Sequence, residues 1–244
     1  LLMKLRFIFN LKMKSVILLT GANGYIGSYL LNNLIGDYKI VAVSRSKPKL
    51  SCEWIQFKTL NDINLIETFR IYKPKYVLHC AAIAHKKLPF LKKNVDNLRV
   101  INVEYTKKLI EASLIYKPAK FIFISTAGVF SNKFNNIINE RSEIEPLNIY
   151  SQLKLQSEKN IQDYFQNSSI SWTIIRPPMI YGNKAPGNMN LLIKLIDFGI
   201  FIPLQRKSIK RNFLSINNLI SAIRKIIDNK NRNNQIYIIS DDEK

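Results

Sequence analysis

The chain has 244 residues, 47% of them hydrophobic, enough for one large α/β domain or a domain with a small lobe and too apolar for a disordered chain. It carries 37 basic against 17 acidic side chains, a net charge of +20, but lysines are spread without a dense basic run and no zinc-finger or aromatic RNA-binding signature is present, so nucleic acid is not an expected partner. Two cysteines (Cys52, Cys80) and two histidines (His79, His85) in no paired spacing leave no metal site or disulfide framework to expect and point to a reducing cytoplasm, and no apolar run is long enough to span a bilayer, so no membrane insertion is expected.

The first residues, Leu1 to Lys12, mix Lys4, Arg6 and Lys12 with leucine and phenylalanine. They hold neither the apolar core nor the small-residue cleavage site of a signal peptide, and residues 1–12 read as a disordered or loosely docked leader, with a surface membrane contact as the alternative. From there short apolar runs alternate with amphipathic ones. Strands are predicted over Ser15–Thr20, Lys39–Val43, Trp54–Phe57, Tyr76–Cys80, Phe121–Ser125 and Trp172–Ile175, and helices over Tyr25–Ile35, Asp62–Tyr72, Val95–Tyr116 and Tyr150–Gln166. The strand runs are β-branched and apolar on both faces, as in a parallel sheet covered by helices on each side. After Arg176-Pro177-Pro178 the alternation breaks into a loop (Gly182–Gly187), two short helices (Leu191–Phe198, Ile216–Ile227) and a last strand, Gln235–Ser240.

Thr20-Gly21-Ala22-Asn23-Gly24-Tyr25-Ile26-Gly27 joins the first strand to the first helix. Glycines three apart suit a dinucleotide: Gly21 for a tight turn, Gly24 for close approach of backbone to pyrophosphate, and Gly27 for close packing of helix on strand. The N–H groups that open the helix, around Asn23, Tyr25 and Ile26, face the anion. Eighteen residues beyond Gly27, at the end of the second strand, stands Arg45 rather than an acid. A basic residue there suits a 2′-phosphate and Ser44 adds a hydroxyl, so NADP is expected, with NAD as the alternative. Tyr150 and Lys154, four apart, share one face of a helix, so a phenol can act as proton donor with an ammonium nearby to lower its pKa. Thr126, at the end of the fifth strand, can hold the reacting oxygen beside Tyr150.

With these residues the chain resembles the extended short-chain dehydrogenase/reductases, the NAD-dependent epimerase/dehydratase group, over nearly all of Lys14 to Asp242. The glycine loop matches T-G-x-x-G-x-x-G, and Val77-Leu78-His79-Cys80-Ala81-Ala82 looks like the family's fourth strand. Asn102-Val103 looks like its N-V motif, Tyr150 and Lys154 match Y-x-x-x-K, and Arg176-Pro177-Pro178-Met179-Ile180-Tyr181-Gly182 looks like R-P-x-x-x-Y-G. The resemblance implies a Rossmann fold in a doubly wound parallel sheet. It puts Ala81 and Ala82 along the cofactor, Pro177 near the nicotinamide, and Tyr150, Lys154 and Thr126 in the catalytic roles. Closer similarity to UDP-4-keto-6-deoxy-N-acetylhexosamine reductases, with UDP-glucose 4-epimerases near, implies a contact from Arg211 to the pyrophosphate of a UDP-sugar.

Departures are Phe130-Ser131 in place of Tyr-Gly, Tyr105 in place of the glycine of N-V-x-G-T, and Thr59 in place of an aspartate near the adenine. The resemblance further implies a cofactor-binding domain over 13–178 and, over 179–244, a partial, truncated substrate lobe with a returning helix and strand. It also implies a homodimer through a four-helix interface built from Val95–Tyr116 and Tyr150–Gln166. The activity so implied is NADP-dependent hydride transfer to or from a UDP-sugar, as a 4-keto reductase. A UDP-sugar 4-epimerase or dehydratase with tightly held NAD is one alternative, and a non-catalytic dinucleotide-binding sensor is another.

Overall fold

The structure, a computed structural model, describes residues 14–60, 63–84, 92–130, 138–186, 212–229, 231 and 234–241, with isolated positions at 191, 195 and 197–199. The side chains of 92–94 are not described. The leader 1–12 and most of the expected helix Leu191–Phe198 lie outside the described residues.

Seven parallel strands form the main sheet: β1 (Val16–Thr20), β2 (Lys39–Ser44), β3 (Glu53–Gln56), β4 (Tyr76–His79), β5 (Lys120–Ile124), β6 (Ser171–Arg176) and β9 (Gln235–Ile238), in the order β3-β2-β1-β4-β5-β6-β9. Strand order reverses at β1 and β4, the crevice where open α/β sheets bind ligands. Residues alternate between the two faces with period two. Leu18, Val77, Phe121 and Phe123 face one core, under α2 (Leu65–Tyr72), α4 (Tyr105–Tyr116) and α5 (Ile149–Phe165). Ile17, Leu19, Leu78, Ile122 and Ile124 face the other, under α1 (Tyr25–Leu34) and α6 (Ile216–Asp228). The sheet is therefore doubly wound.

Local chemistry sets the helix ends. Asn64 accepts from Glu67 N–H (2.9 Å) and so caps α2; the expected start at Asp62, itself outside the described residues, lies too early. The repeated Tyr-Lys-Pro at 72–74 and 116–118 ends α2 and α4 the same way. Lys73 (φ 45°) and Lys117 (φ 52°) take the left-handed conformation, and a proline follows that cannot continue the helix. Asn148 caps α5 through Ser151 N–H (2.9 Å).

The helix expected over Val95–Tyr116 is divided. An α-helical segment α3 (Lys92–Arg99) runs into a π turn (Val100–Glu104), closed by Tyr105 N–H on Val100 O, before α4. Sequence periodicity gave no sign of this widened turn, nor of the two three-residue strands β7 (Met179–Tyr181) and β8 (Phe213–Ser215), which pair in parallel as a separate small sheet. Chain beyond β8 returns to the main sheet. Arg224 on α6 donates to Asn33 O (2.6 Å) and pairs with Asp37 beyond α1, and β9 adds to the edge of β6. Among the described residues no helix is long and apolar enough to cross a membrane, and no group of ligating side chains could hold a metal.

Candidate active site at the strand ends

The expected site residues that the structure describes all lie at carboxyl ends of strands or in the segments that follow: the glycine turn after β1, Ser44 and Arg45 at β2, Ala81 and Ala82 after β4, Thr126 after β5 and Pro177 after β6, with Tyr150 and Lys154 at the start of α5. Arg211 lies outside the described residues.

Steric contacts define the glycine turn. Gly21 (φ 71°) occupies the left-handed region, and a Cβ there would lie 2.7 Å from Ala81 N, so this glycine brings the β1 turn against the β4 segment. A Cβ on Gly27 would lie 2.1 Å from Gly21 O, which lets α1 begin directly under the turn. Gly24, the N-cap of α1, offers no side chain, so the first helical N–H groups, those of Tyr25, Ile26 and Gly27, are left for a ligand. This cradle, which side chains would fill, fits the pyrophosphate of a dinucleotide. Asn23 ties it to the end of β2, donating to Ser46 O (2.5 Å) and Ser46 Oγ (2.9 Å).

One expectation is corrected here. Ser44 does not present a free donor: its hydroxyl gives its proton to Ser46 O (2.7 Å) and accepts from Trp54 Nε1 (3.1 Å). The exposed hydroxyl next to Arg45 is that of Ser46, which the strand pattern did not single out.

A buried hydrogen-bond chain holds the segment after β4. Thr106 Oγ1 donates to Asn102 O (2.9 Å), so it accepts from His79 Nε2–H (2.9 Å); His79 Nδ1 then accepts from Thr20 Oγ1 (2.7 Å), whose oxygen accepts Ala81 N–H (3.2 Å). Burial and the nearby Lys154 charge hold His79 well below the usual histidine range, so it is neutral, with its proton on Nε2. Asn102 Oδ1 accepts from Ile83 N–H (3.2 Å) and Nδ2 donates to Leu98 O (3.0 Å). Thr20, His79, Asn102 and Thr106 thus fix the backbone expected to line the cofactor. Tyr105, in the place of a glycine, fills the core between Phe57 (5.3 Å between ring centres) and His79 (5.5 Å). Its buried hydroxyl has no partner among the described residues.

The turn that carries Thr126 and the helix that carries Tyr150 and Lys154 meet where β5 runs out. Thr126 Oγ1 accepts from Gly128 N–H (3.0 Å), leaving its own proton to donate. A Cβ on Gly128 would stand 2.7 Å from Ser151 Oγ and 3.3 Å from Thr126 Oγ1, so the residue after Tyr150 abuts the Thr126 turn. Ala127 N–H donates to Pro177 O (2.9 Å), which brings the β6 end beside the same turn. Lys154, 1% exposed, projects its ammonium over the Phe123 ring at 3.8 Å. Burial drives its pKa down to about 7 against the pull of Glu158 and Cys80, while burial pushes the Tyr150 phenol up to about 12. In the chain alone, then, the Tyr150 phenol is shifted upward by burial, opposite to the lowering expected from a neighbouring ammonium.

A doubly wound parallel sheet with a glycine cradle at its switch point and a Tyr–Lys helix beside it defines a dinucleotide-binding α/β enzyme. Residues 17–240 match the NAD dependent epimerase/dehydratase family, and the chain belongs to that family. It is 31% identical to the UDP-glucose 4-epimerase of Vibrio cholerae over 94% of this chain and 72% of the relative. It is 30% identical to the dTDP-D-glucose 4,6-dehydratase of Dictyostelium discoideum over 93% of this chain but 58% of that relative. A solved structure of the UDP-glucuronic acid 4-epimerase from Bacillus cereus, in complex with UDP-glucuronic acid and NAD, superposes with a TM-score of 0.80 at 25% identity, covering 93% of this chain and 78% of that one.

Proposed function

We propose that the chain oxidises and re-reduces a ring carbon of a UDP-linked sugar, C4, and so interconverts epimers. The observation that carries this reading is the meeting of the Thr126 turn with the Tyr150–Lys154 helix at the strand ends that also form the glycine cradle. The bound nicotinamide dinucleotide supplies the hydride acceptor and donor. Tyr150 exchanges a proton with the sugar oxygen, and the Lys154 ammonium stabilises the phenolate. Thr126, its oxygen held by Gly128 N–H, donates to the same sugar oxygen. The Vibrio and Bacillus relatives, 4-epimerases by name, support this outcome over dehydration, and the residues that follow Thr126, Ala127-Gly128-Val129, bring no carboxylate to serve as a second acid–base group.

A second reading, a 4-keto reductase using NADPH, is favoured by Arg45, Ser46 and Lys47 at the end of β2, where a 2′-phosphate would sit. The two part on one experiment: the purified protein is incubated with UDP-glucose, UDP-N-acetylglucosamine or UDP-glucuronic acid and NAD, and separately with a UDP-4-keto sugar and NADPH. Epimeric UDP-sugars at unchanged cofactor oxidation state support the first reading. Stoichiometric loss of NADPH supports the second, and cofactor binding without either reaction overturns both in favour of a sensor. The free thiols Cys52 and Cys80 fit a cytoplasmic protein. A homodimer through α4 and α5, where Ile115 and Tyr164 stand outward, is tested by sedimentation velocity.

A further inference from the structure

One side chain outside the proposed chemistry lies behind the strand ends that lead to Thr126 and Pro177. Glu158 follows Tyr150 and Lys154 at the next four-residue step along α5, so the three share one helix face. It is fully buried (0% exposed). Its carboxylate accepts from Arg176 Nη2 at 2.6 Å and from Arg176 Nε at 3.1 and 3.2 Å, and it takes the Ser125 hydroxyl proton in a short hydrogen bond. Ser125 immediately precedes Thr126, and Arg176 immediately precedes Pro177. The two strand ends are joined again by Ser125 N–H on Ile175 O (2.7 Å). Arg176 lies with its guanidinium carbon 5.0 Å from the centre of the Phe130 ring, and its Nη1 has no hydrogen-bond partner among the described residues.

A buried ion pair is a poor device for stability alone, since desolvating both charges offsets most of their attraction. What it does supply is fixed geometry. Two strand ends that are far apart in sequence, at Ser125 and at Arg176, place their polar groups on one carboxylate of α5.

We infer that Glu158 is the positioning residue of this site: one carboxylate registers the segments that carry Thr126, Pro177 and Lys154, and the same charge is the counter-ion of the Lys154 ammonium. The inference rests on the proposed roles of those three residues for its meaning in catalysis, but the arrangement itself can be tested without them. Lys154 is faced by His79 at the end of β4 and Cys80 just after it, by the Phe123 ring from β5, and by Glu158 on its own helix, where Tyr150 stands one turn earlier, with Arg176 beyond Glu158 on β6. Of these groups Glu158 is the carboxylate, ion-paired with Arg176, while burial raises the Cys80 thiol and the Tyr150 phenol to about 12 and keeps His79 neutral.

The test is an NMR titration of the full chain with its lysines labelled with ¹³C at Cε, without cofactor or sugar, the Lys154 signal being assigned by its loss in Lys154→Met. Glu158→Gln keeps the shape and a hydrogen-bonding amide but removes the charge, and should lower the proton affinity of Lys154 at least about tenfold. Glu158→Asp, which keeps the charge on a shorter arm, should recover most of that loss. A merely structural glutamate would leave the Lys154 titration where it is in both variants. If Glu158→Gln leaves Arg176 unpaired and fails to fold, the double variant Glu158→Gln/Arg176→Met is titrated instead. It too should show a lowered Lys154 proton affinity, and an unchanged value there overturns the inference. A change of less than about tenfold in Glu158→Gln, or an equal fall in Glu158→Asp, also overturns it. Because no turnover is read, failure of the proposed sugar chemistry and failure of this inference are separate outcomes.

Discussion

The Lys154 ammonium sits 3.8 Å above the Phe123 ring, so the lysine expected to tune Tyr150 rests on an aromatic face rather than in water. Cation–π attraction and the Glu158 charge offset part of the burial cost, but desolvation prevails and the folded ammonium loses its proton near pH 7, against about 10.5 for an ordinary lysine.

Stability should therefore depend on pH through this residue. Below about pH 7 folded and unfolded chains both hold the proton, and the folded state bears the whole cost of burying it. Between about 7 and 10.5 folding releases the proton, so stability climbs with pH across that window. Lys154→Met removes the effect. Urea midpoints of the variant should exceed wild type at about pH 6, and the gap should narrow steadily toward about pH 10. A gap independent of pH would show that the ammonium is not desolvated.

Gly27→Ala places a methyl group 2.1 Å from Gly21 O. The backbone has to shift, and a loss of about 1–3 kcal/mol in urea unfolding is expected, together with loss of dinucleotide binding. Gly36→Ala, where a Cβ meets nothing within 4 Å, is the control and should stay within about 0.5 kcal/mol of wild type.

Tyr105→Phe deletes a buried hydroxyl that has no partner among the described residues and keeps the ring between Phe57 and His79. Removing an unsatisfied donor should stabilise the fold by about 1 kcal/mol, a rise of roughly 2–4 °C in Tm by calorimetry. A fall in Tm would mean that the hydroxyl is hydrogen-bonded in solution.

At the end of β2, Arg45→Asp should turn cofactor preference toward NADH. Fluorescence titration should show the ratio of NADPH to NADH affinity falling by about 10- to 100-fold, the worth of one charge-assisted contact. Ser46→Ala should give a smaller fall in the same direction, while an unchanged ratio in Arg45→Asp would place the 2′-phosphate elsewhere.

Much of this was legible in the sequence, for reasons that particular residues make plain. The glycine spacing of 21, 24 and 27 and the step from Tyr150 to Lys154 are local patterns, and the backbone converts them directly into a turn and a helix face. The inner strands of the main sheet are legible because their residues are apolar or β-branched on both faces, and the edge strands β3 and β9 by the short apolar stretches Trp54-Ile55 and Ile236-Tyr237-Ile238. β7 and β8 were not, since three residues beside a proline pair, or in a polar stretch, leave no period to count. The π turn at 100–104 left no trace because one extra residue in a helix changes no composition. Ser46 and Ser44 exchanged roles because which hydroxyl is spent on a neighbouring carbonyl depends on Trp54, ten residues beyond Ser44 in the chain. Glu158 reads in sequence as one more polar residue of an amphipathic helix, and its meaning appears only when Ser125 and Arg176 are folded onto it.

The fixed tautomer of His79 makes this ring a reporter. The chain has two imidazoles, and the nitrogen-15 resonances of His79 should carry the signature of a neutral ring protonated on one side only. A molecule that draws the Ala81–Ile83 backbone out of place must break the relay through Thr20 or Asn102 and blur that signature. Occupancy at the surface could then be watched from inside the sheet, with no dye and no engineered cysteine.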